Sequence, residues 1–191
     1  MPQTIKLRAK DAMRRELANA ALDVVMKHGF DTITADEIAA AIGMSRATFF
    51  RQFGSKEGAV VAAFIGTSMQ FADAYRHATG RTVWDRLRAA IEPAVTFSEA
   101  DPARSRRRLA FIGDHPGLFA RLKHERAPQI DALAQALQEG GAGPLQARVL
   151  ANAAVSTLDQ SFQHWKEQEA RSIRDVVDEG FAHLIAAAAH S

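Results

Sequence analysis

The sequence predicts an all-α protein of about nine helices and no strands, with a three-helix N-terminal head and a larger helical C-terminal domain. Three observations carry that expectation. Apolar residues recur at three- and four-residue spacing over most of the 191 residues. Glycine and proline interrupt this periodicity at intervals, most clearly in Gly140-Gly141-Ala142-Gly143-Pro144. Finally, the stretch from Thr34 to Lys56, TADEIAAAIGMSRATFFRQFGSK, reads as two short helices joined by a tight turn.

The first helix is expected from about Asp11 to His28, stopped by Gly29. Thr34 and Glu37 have the spacing of a capping box, in which the hydroxyl accepts from the third helical N–H and the carboxylate reaches back. Ile38, Ala39 and Ile42 then share one face, and Gly43 can take the left-handed conformation that ends the second helix. Ser45 can cap the third, whose buried side carries Phe49 and Phe53. Its outward residues, Arg46, Ala47, Thr48, Arg51 and Gln52, are small, polar or basic, as a helix lying in a DNA major groove requires.

A fourth helix is expected from Ser55 to about His77, with Val60, Phe64, Phe71 and Tyr75 on one stripe. The fifth spans about Val83 to Glu99, kinked at Pro93. The sixth runs from Pro102, capped by Asp101, to about Ile112. The seventh runs from Pro116 to Glu139 with an interruption at Pro128, the eighth from Leu145 to Glu169, and the ninth from Ser172 to Ala189.

Composition narrows the possible functions. The chain has 47% apolar and 24% charged residues, ordinary for a globular protein able to bury a sizeable core. The absence of cysteine excludes disulfides, thiolate metal sites and cysteine nucleophiles. No apolar run reaches the ~18 residues of a membrane span, and no signal peptide is evident, so the expected location is the cytoplasm. The seven histidines form no metal-ligand motif, and no nucleophile elbow or phosphate loop is present. We therefore expect no enzyme activity, no cofactor and no metal. The net charge is only +2, but Lys6, Arg8, Lys10, Arg14 and Arg15 crowd the start, where they can follow DNA phosphates.

Leu17, Ala20, Ala21, Val24, Val25, Gly29 and Phe30 precede the helix pair, and Ser55-Lys56-Glu57 follows it, at the spacing of a known family. Over about residues 13 to 65 the chain resembles the TetR, or tetracycline-repressor-like, transcriptional regulators. The resemblance implies a DNA-binding domain over residues 1–56 and a ligand-binding and dimerisation domain over residues 57–191. It also implies double-stranded operator DNA as partner, a homodimer, and a small apolar or amphipathic effector that releases a repressor. A regulator without an effector, or an activator, is the alternative. Carried over residue by residue, Ser45, Arg46, Ala47 and Thr48 match base-facing positions, while Lys6, Arg8, Thr34, Phe50, Gln52 and Lys56 fall where the backbone is approached. Phe50 departs from the family's frequent tyrosine and cannot donate to a phosphate.

The C-terminal expectations rest on the same resemblance. Phe64, Phe71, Tyr75, Trp84, Leu87, Ile91, Phe111, Ile112, Phe119, Leu122 and Phe162 would line an effector pocket, or else form ordinary core. Val149, Ala153, Ala154 and Leu158 of the eighth helix, with Ile173, Val177, Phe181 and Leu184 of the ninth, would meet their copies in a two-fold bundle, or pack within one protomer. The run Arg104, Arg106, Arg107 and Arg108 reads as a solvated face or an attraction for an anionic effector.

Overall fold

The computed structural model describes residues 2–66 and 68–189, without the side chains of residues 2–8, 69, 188 and 189. Among the described residues there are twelve α-helices, one short 3-10 turn and no strand. No helix among them is long and apolar enough to cross a membrane.

The first compact unit runs up to Gly66 and includes Ala120–Leu122. It holds α1 (Pro2–His28), α2 (Ala35–Ala41), α3 (Arg46–Phe53) and α4 (Lys56–Ile65). Helix α1 starts well before the expected Asp11, so the basic N-terminal residues lie on helical backbone. Ala18, Ala21, Leu22 and Val25 of α1 are buried, as are Ile38 and Ala39 of α2, Phe49 and Phe53 of α3, and Ala59, Val60 and Val61 of α4. Helices α1 and α4 make the main packing pair of this unit. Gly58 allows the close approach of α4 to the end of α3, because a Cβ there would lie 2.0 Å from the Phe53 carbonyl oxygen.

The second unit contains the 3-10 turn Ser68–Gln70 and α5 (Phe71–His77), α6 (Val83–Ala90), α7 (Glu92–Ala100), α8 (Pro102–Gly113), most of α9 (Pro116–Glu125), α10 (Ala127–Glu139), α11 (Pro144–Trp165) and α12 (Ile173–Ala189). The expected nine helices become twelve because three long ones are divided. The fourth stops at Gly66 and resumes at Phe71. The fifth and seventh divide where Pro93 and Pro128 occupy the first turns of α7 and α10. Proline lacks the N–H that would continue the preceding ladder, but its fixed φ suits a helix start.

The core of this unit joins Phe71 and Tyr75 of α5, Leu87 of α6 and Val95 of α7 to Leu133 and Leu137 of α10, Ala154 and Leu158 of α11, and Val177 and Phe181 of α12. An ionic network ties α12 across two helices. Arg174 donates to Glu92 at 2.6 and 3.0 Å and to Glu99 at 2.7 Å, while Arg88 donates to Glu92 at 2.8 Å and to Asp178 at 2.5 Å. Burial pushes the Glu92 carboxyl up, but the hydrogen bonds from Arg174 and Arg88 together outweigh it and hold the group below its ordinary value.

The arginine run of α8 is not a uniformly solvated face. Arg107 is exposed, but Arg108 is buried beside the Phe97 ring. Arg106 lies 4.0 Å from the centroid of the buried Trp165 ring and donates to the backbone oxygens of Gln168 at 3.0 Å and Arg171 at 3.1 Å. Its guanidinium thus satisfies carbonyls left over at the α11–α12 connection.

Candidate nucleic-acid interface

The reading head is built from local cap chemistry. Thr34 caps α2 in a complete capping box: its N–H donates to Glu37 Oε2 at 2.8 Å, its hydroxyl donates to the same oxygen at 2.7 Å, and the Glu37 N–H donates to Thr34 Oγ1 at 3.3 Å. These bonds hold the Glu37 carboxyl below its ordinary value. Gly43 turns the chain at φ 71°, a left-handed conformation that a side chain would strain, and the Met44 N–H then closes on the Ala39 carbonyl at 2.8 Å.

Helix α3 follows with Ser45 as its cap, the Thr48 N–H donating to Ser45 Oγ at 3.2 Å. Phe49 and Phe53 face the interior, packed edge to face with ring centroids 5.3 Å apart. Locking these two rings inward fixes which face of α3 points out. Ser45, Arg46, Ala47, Phe50 and Arg51 are exposed, and Thr48 and Gln52 are half-buried. The hydroxyl of Thr48 accepts from Ser45 at 2.9 Å and from Arg51 at 3.3 Å, which orients all three side chains on one surface. Arg46 lies 5.4 Å from the Phe50 ring centroid and pairs with Asp36 of α2. The face therefore presents cationic forks and small groups, with no acid of its own in α3.

Lys56 opens α4, and its ammonium donates to the Phe30 carbonyl at 2.5 Å and the Ile33 carbonyl at 3.2 Å. It also lies 4.5 Å from the Phe30 ring centroid. A lysine expected beside a phosphate thus also fastens the α1–α2 connection, using two of its three N–H donors. Behind the head, Arg14 of α1 reaches the Gln52 carbonyl at 3.4 Å. The side chains of Lys6 and Arg8 lie outside the described residues.

The sequence reading missed Asp36, and it placed Arg14 among the phosphate-following cations without its bond to the Gln52 carbonyl. Asp36 sits in the first turn of α2, where an acid is favourable to the helix dipole, so its sequence position gave no reason to look for a partner ten residues on.

The residues expected in the C-terminal domain are distributed differently from one another. Phe71, Tyr75, Leu87 and Ile91 belong to the main core, and Trp84 and Phe162 pack at its edge. Leu87 and Ile91 have 0% exposure, so no water-sized space touches them. Ile112 and Leu122 are buried elsewhere, and Phe64, Phe111 and Phe119 are half-buried.

Of the eight residues expected between protomers, Ala154, Leu158, Ile173, Val177 and Phe181 are packed inside their own protomer. Of the two placements expected for these five, this is packing within one protomer. The apolar stripes of α11 and α12 meet each other, which buries one side of each helix. Val149, Ala153 and Leu184 remain at the surface. On that outward side a cleft of about 630 Å³ runs between the helices, lined by Ala153, Thr157 and His164 of α11 and Gly180, His183 and Leu184 of α12. Among the described residues no group of three or more His, Cys, Asp or Glu is placed to hold a metal.

Two family profiles match this chain. That of the bacterial regulatory proteins of the tetR family matches residues 17–63, and that of the MftR C-terminal domain matches residues 81–189. The chain is 24% identical over 178 residues to a Mycobacterium tuberculosis protein named as a mycofactocin biosynthesis transcriptional regulator, MftR, with 91% of this chain and 90% of that protein covered. It is 28% identical over 178 residues to the HTH-type transcriptional activator FasR of Mycolicibacterium smegmatis, covering 90% of this chain and 80% of that protein. Among solved structures, its fold resembles the transcriptional regulator FadR from Bacillus subtilis in complex with stearoyl-CoA, with a TM-score of 0.59, 17% identity, and coverage of 90% of this chain and 96% of that chain.

Proposed function

Because the chain belongs to the tetR family of bacterial regulatory proteins and carries an MftR-type C-terminal domain, we propose that it is a ligand-released repressor that reads its operator through the exposed face of α3. It is a DNA-binding transcription regulator and not an enzyme. Regulators of this family bind operator DNA as dimers.

The observation that carries the reading is the outward set Ser45, Arg46, Ala47 and Thr48, held rigid by Phe49 and Phe53 beneath it. Arg46 supplies a fork for guanine O6 and N7, and Thr48 and Ala47 offer methyl groups to thymine. Thr34, Gln52 and Lys56, with Lys6 and Arg8 of the N-terminal segment, supply register on the phosphates. Phe50 serves as a floor under Arg46 rather than as a phosphate donor. The functional division places DNA reading in residues 1–56 and ligand binding with dimerisation in residues 57–191, acting in the cytoplasm on the cell's own DNA.

The homodimer forms through the outward sides of α11 and α12, where Val149 is exposed and Ala153 and Leu184 line the cleft. The effector is amphipathic, an apolar chain with a charged head, by analogy with the stearoyl-CoA complex of FadR. It binds among the aromatic and aliphatic residues of α5 to α9. Since Leu87 and Ile91 are packed solid, the effector selects a conformation in which that core has opened.

Selection of duplexes from a randomised pool, followed by mobility shift with added stearoyl-CoA, tests this. An enriched inverted repeat, released by the ligand, is expected. Failure to enrich any sequence would remove the operator reading, and enrichment without release would leave a regulator insensitive to this ligand. FasR is named an activator, which supports a second reading in which the same head recruits transcription. A reporter behind the selected site distinguishes the two: deleting the regulator raises expression from a repressed promoter and lowers it from an activated one.

A further inference from the structure

Asp36 is the one acid that pairs with the reading face among the described contacts of Arg46. It occupies the first turn of α2, and its carboxylate accepts from Arg46 Nη1. The two side chains are exposed, 70% for Arg46 and 50% for Asp36. An exposed pair of this kind adds little to stability, ~0–1 kcal/mol. It is also costly for DNA binding in one respect, because it places a negative charge near a polyanion. The dipole of α2 favours an acid at this position, but neither it nor pair stability nor bulk electrostatics accounts for the pairing with Arg46.

Geometry offers a reason. A guanidinium has five N–H donors in a planar fork. With Nη1 held by Asp36 and the plane lying 5.4 Å from the Phe50 ring centroid, the Nε–Nη2 edge is left to make two parallel hydrogen bonds. Guanine presents two acceptors, O6 and N7, that match such an edge. Arginine loses considerable side-chain freedom when it docks, and a fork already held in place loses less.

We propose that Asp36 is a positioning residue for sequence reading: it buttresses the Arg46 fork, so that the head gains discrimination at one base pair while giving up some affinity for DNA in general. The proposal rests on the reading that α3 contacts bases. It makes a prediction of opposite signs. In Asp36→Asn, preference for guanine at the Arg46-read position over the other bases should fall roughly three- to tenfold, the value of one pre-ordered side chain. Affinity for unrelated duplex should rise, because one negative charge near the phosphates is gone.

The experiment uses the 191-residue chain and the duplex enriched by the wild type, with each base substituted at the contacted position. Titrations at several salt concentrations compare wild type, Asp36→Asn, Arg46→Ala and the double variant. The proposal expects lower preference and higher non-specific affinity in Asp36→Asn, with no effect of Asp36→Asn on preference once Arg46 is absent. Asp36→Glu, which keeps the carboxylate, should recover part of the preference. Unchanged base preference in Asp36→Asn overturns the proposal alone. A parallel fall in specific and non-specific affinity also overturns it, since that marks a destabilised head. A wild type that enriches no sequence overturns both the proposal and the reading beneath it.

Discussion

Replacing Lys56 with methionine separates two roles that the sequence alone leaves merged. The ammonium donates to the Phe30 carbonyl at 2.5 Å and to the Ile33 carbonyl at 3.2 Å, and it lies 4.5 Å from the Phe30 ring centroid. Hydrogen bonds from a charged donor contribute ~1.5–3 kcal/mol each when well buried. The site is only part-buried, and water can replace some of the loss, so about 1 kcal/mol per bond is the reasonable figure. The cation–ring contact adds ~0.5 kcal/mol at an exposed edge. Methionine keeps the packing of the stem and removes the charge, so the expected cost is roughly 2–3 kcal/mol. If the chain melts as one unit, that corresponds to a drop on the order of 5–10 °C in Tm. Urea unfolding gives the stability change, and DNA titration at a temperature where the variant is folded gives the binding change. The remaining N–H predicts a salt slope lower by about one as well. Unchanged urea stability, with only DNA affinity reduced, would refute the structural role and return Lys56 to a simple phosphate contact.

Gly58→Ala should cost at least ~2–3 kcal/mol, because the new Cβ would meet the Phe53 carbonyl oxygen at 2.0 Å and backbone must move; wild-type denaturation would contradict that close approach. Ala154→Asp should unfold the protomer, burying an unpaired charge in its core, whereas Leu184→Glu should leave circular dichroism intact and convert dimer to monomer in light scattering. A folded, monomeric Ala154→Asp would return that residue to the interface. The folded-state pKa of Glu92 is depressed below its ordinary 4.5, so its network stabilises the fold above that pH and the contribution is lost as pH falls through the folded value. Tm plotted against pH from about 7 down to 3 should therefore fall less steeply in Glu92→Gln than in wild type, and equal slopes would show that the network contributes nothing.

The head was legible because its instructions are local. Thr34 with Glu37, Gly43, and Ser45 each act within three or four residues, and each takes its expected part in the structure. The all-helical class followed from periodicity for the same reason. The number of helices did not, because periodicity continues through Pro93 and Pro128 while the hydrogen-bond ladder stops there. Partners distant in sequence were also invisible. Arg106 reads as part of a charge run, yet it is fixed by carbonyls some sixty residues away. Val177 and Ala154 show that a stripe reveals that a helix buries one side, but not whether the cover is another helix of the same chain or a second copy.

Methylation protection of guanine N7 on the selected duplex tests operator reading most directly. The wild-type dimer should protect guanines in the major groove of two half-sites related by two-fold symmetry, with centres separated by about 10 base pairs or a multiple of it. Arg46→Ala should expose one guanine in each half-site while leaving the neighbouring phosphate contacts in place. An identical protection pattern for Arg46→Ala, or protection confined to a single unsymmetrical site, would contradict a paired reading of the operator through α3.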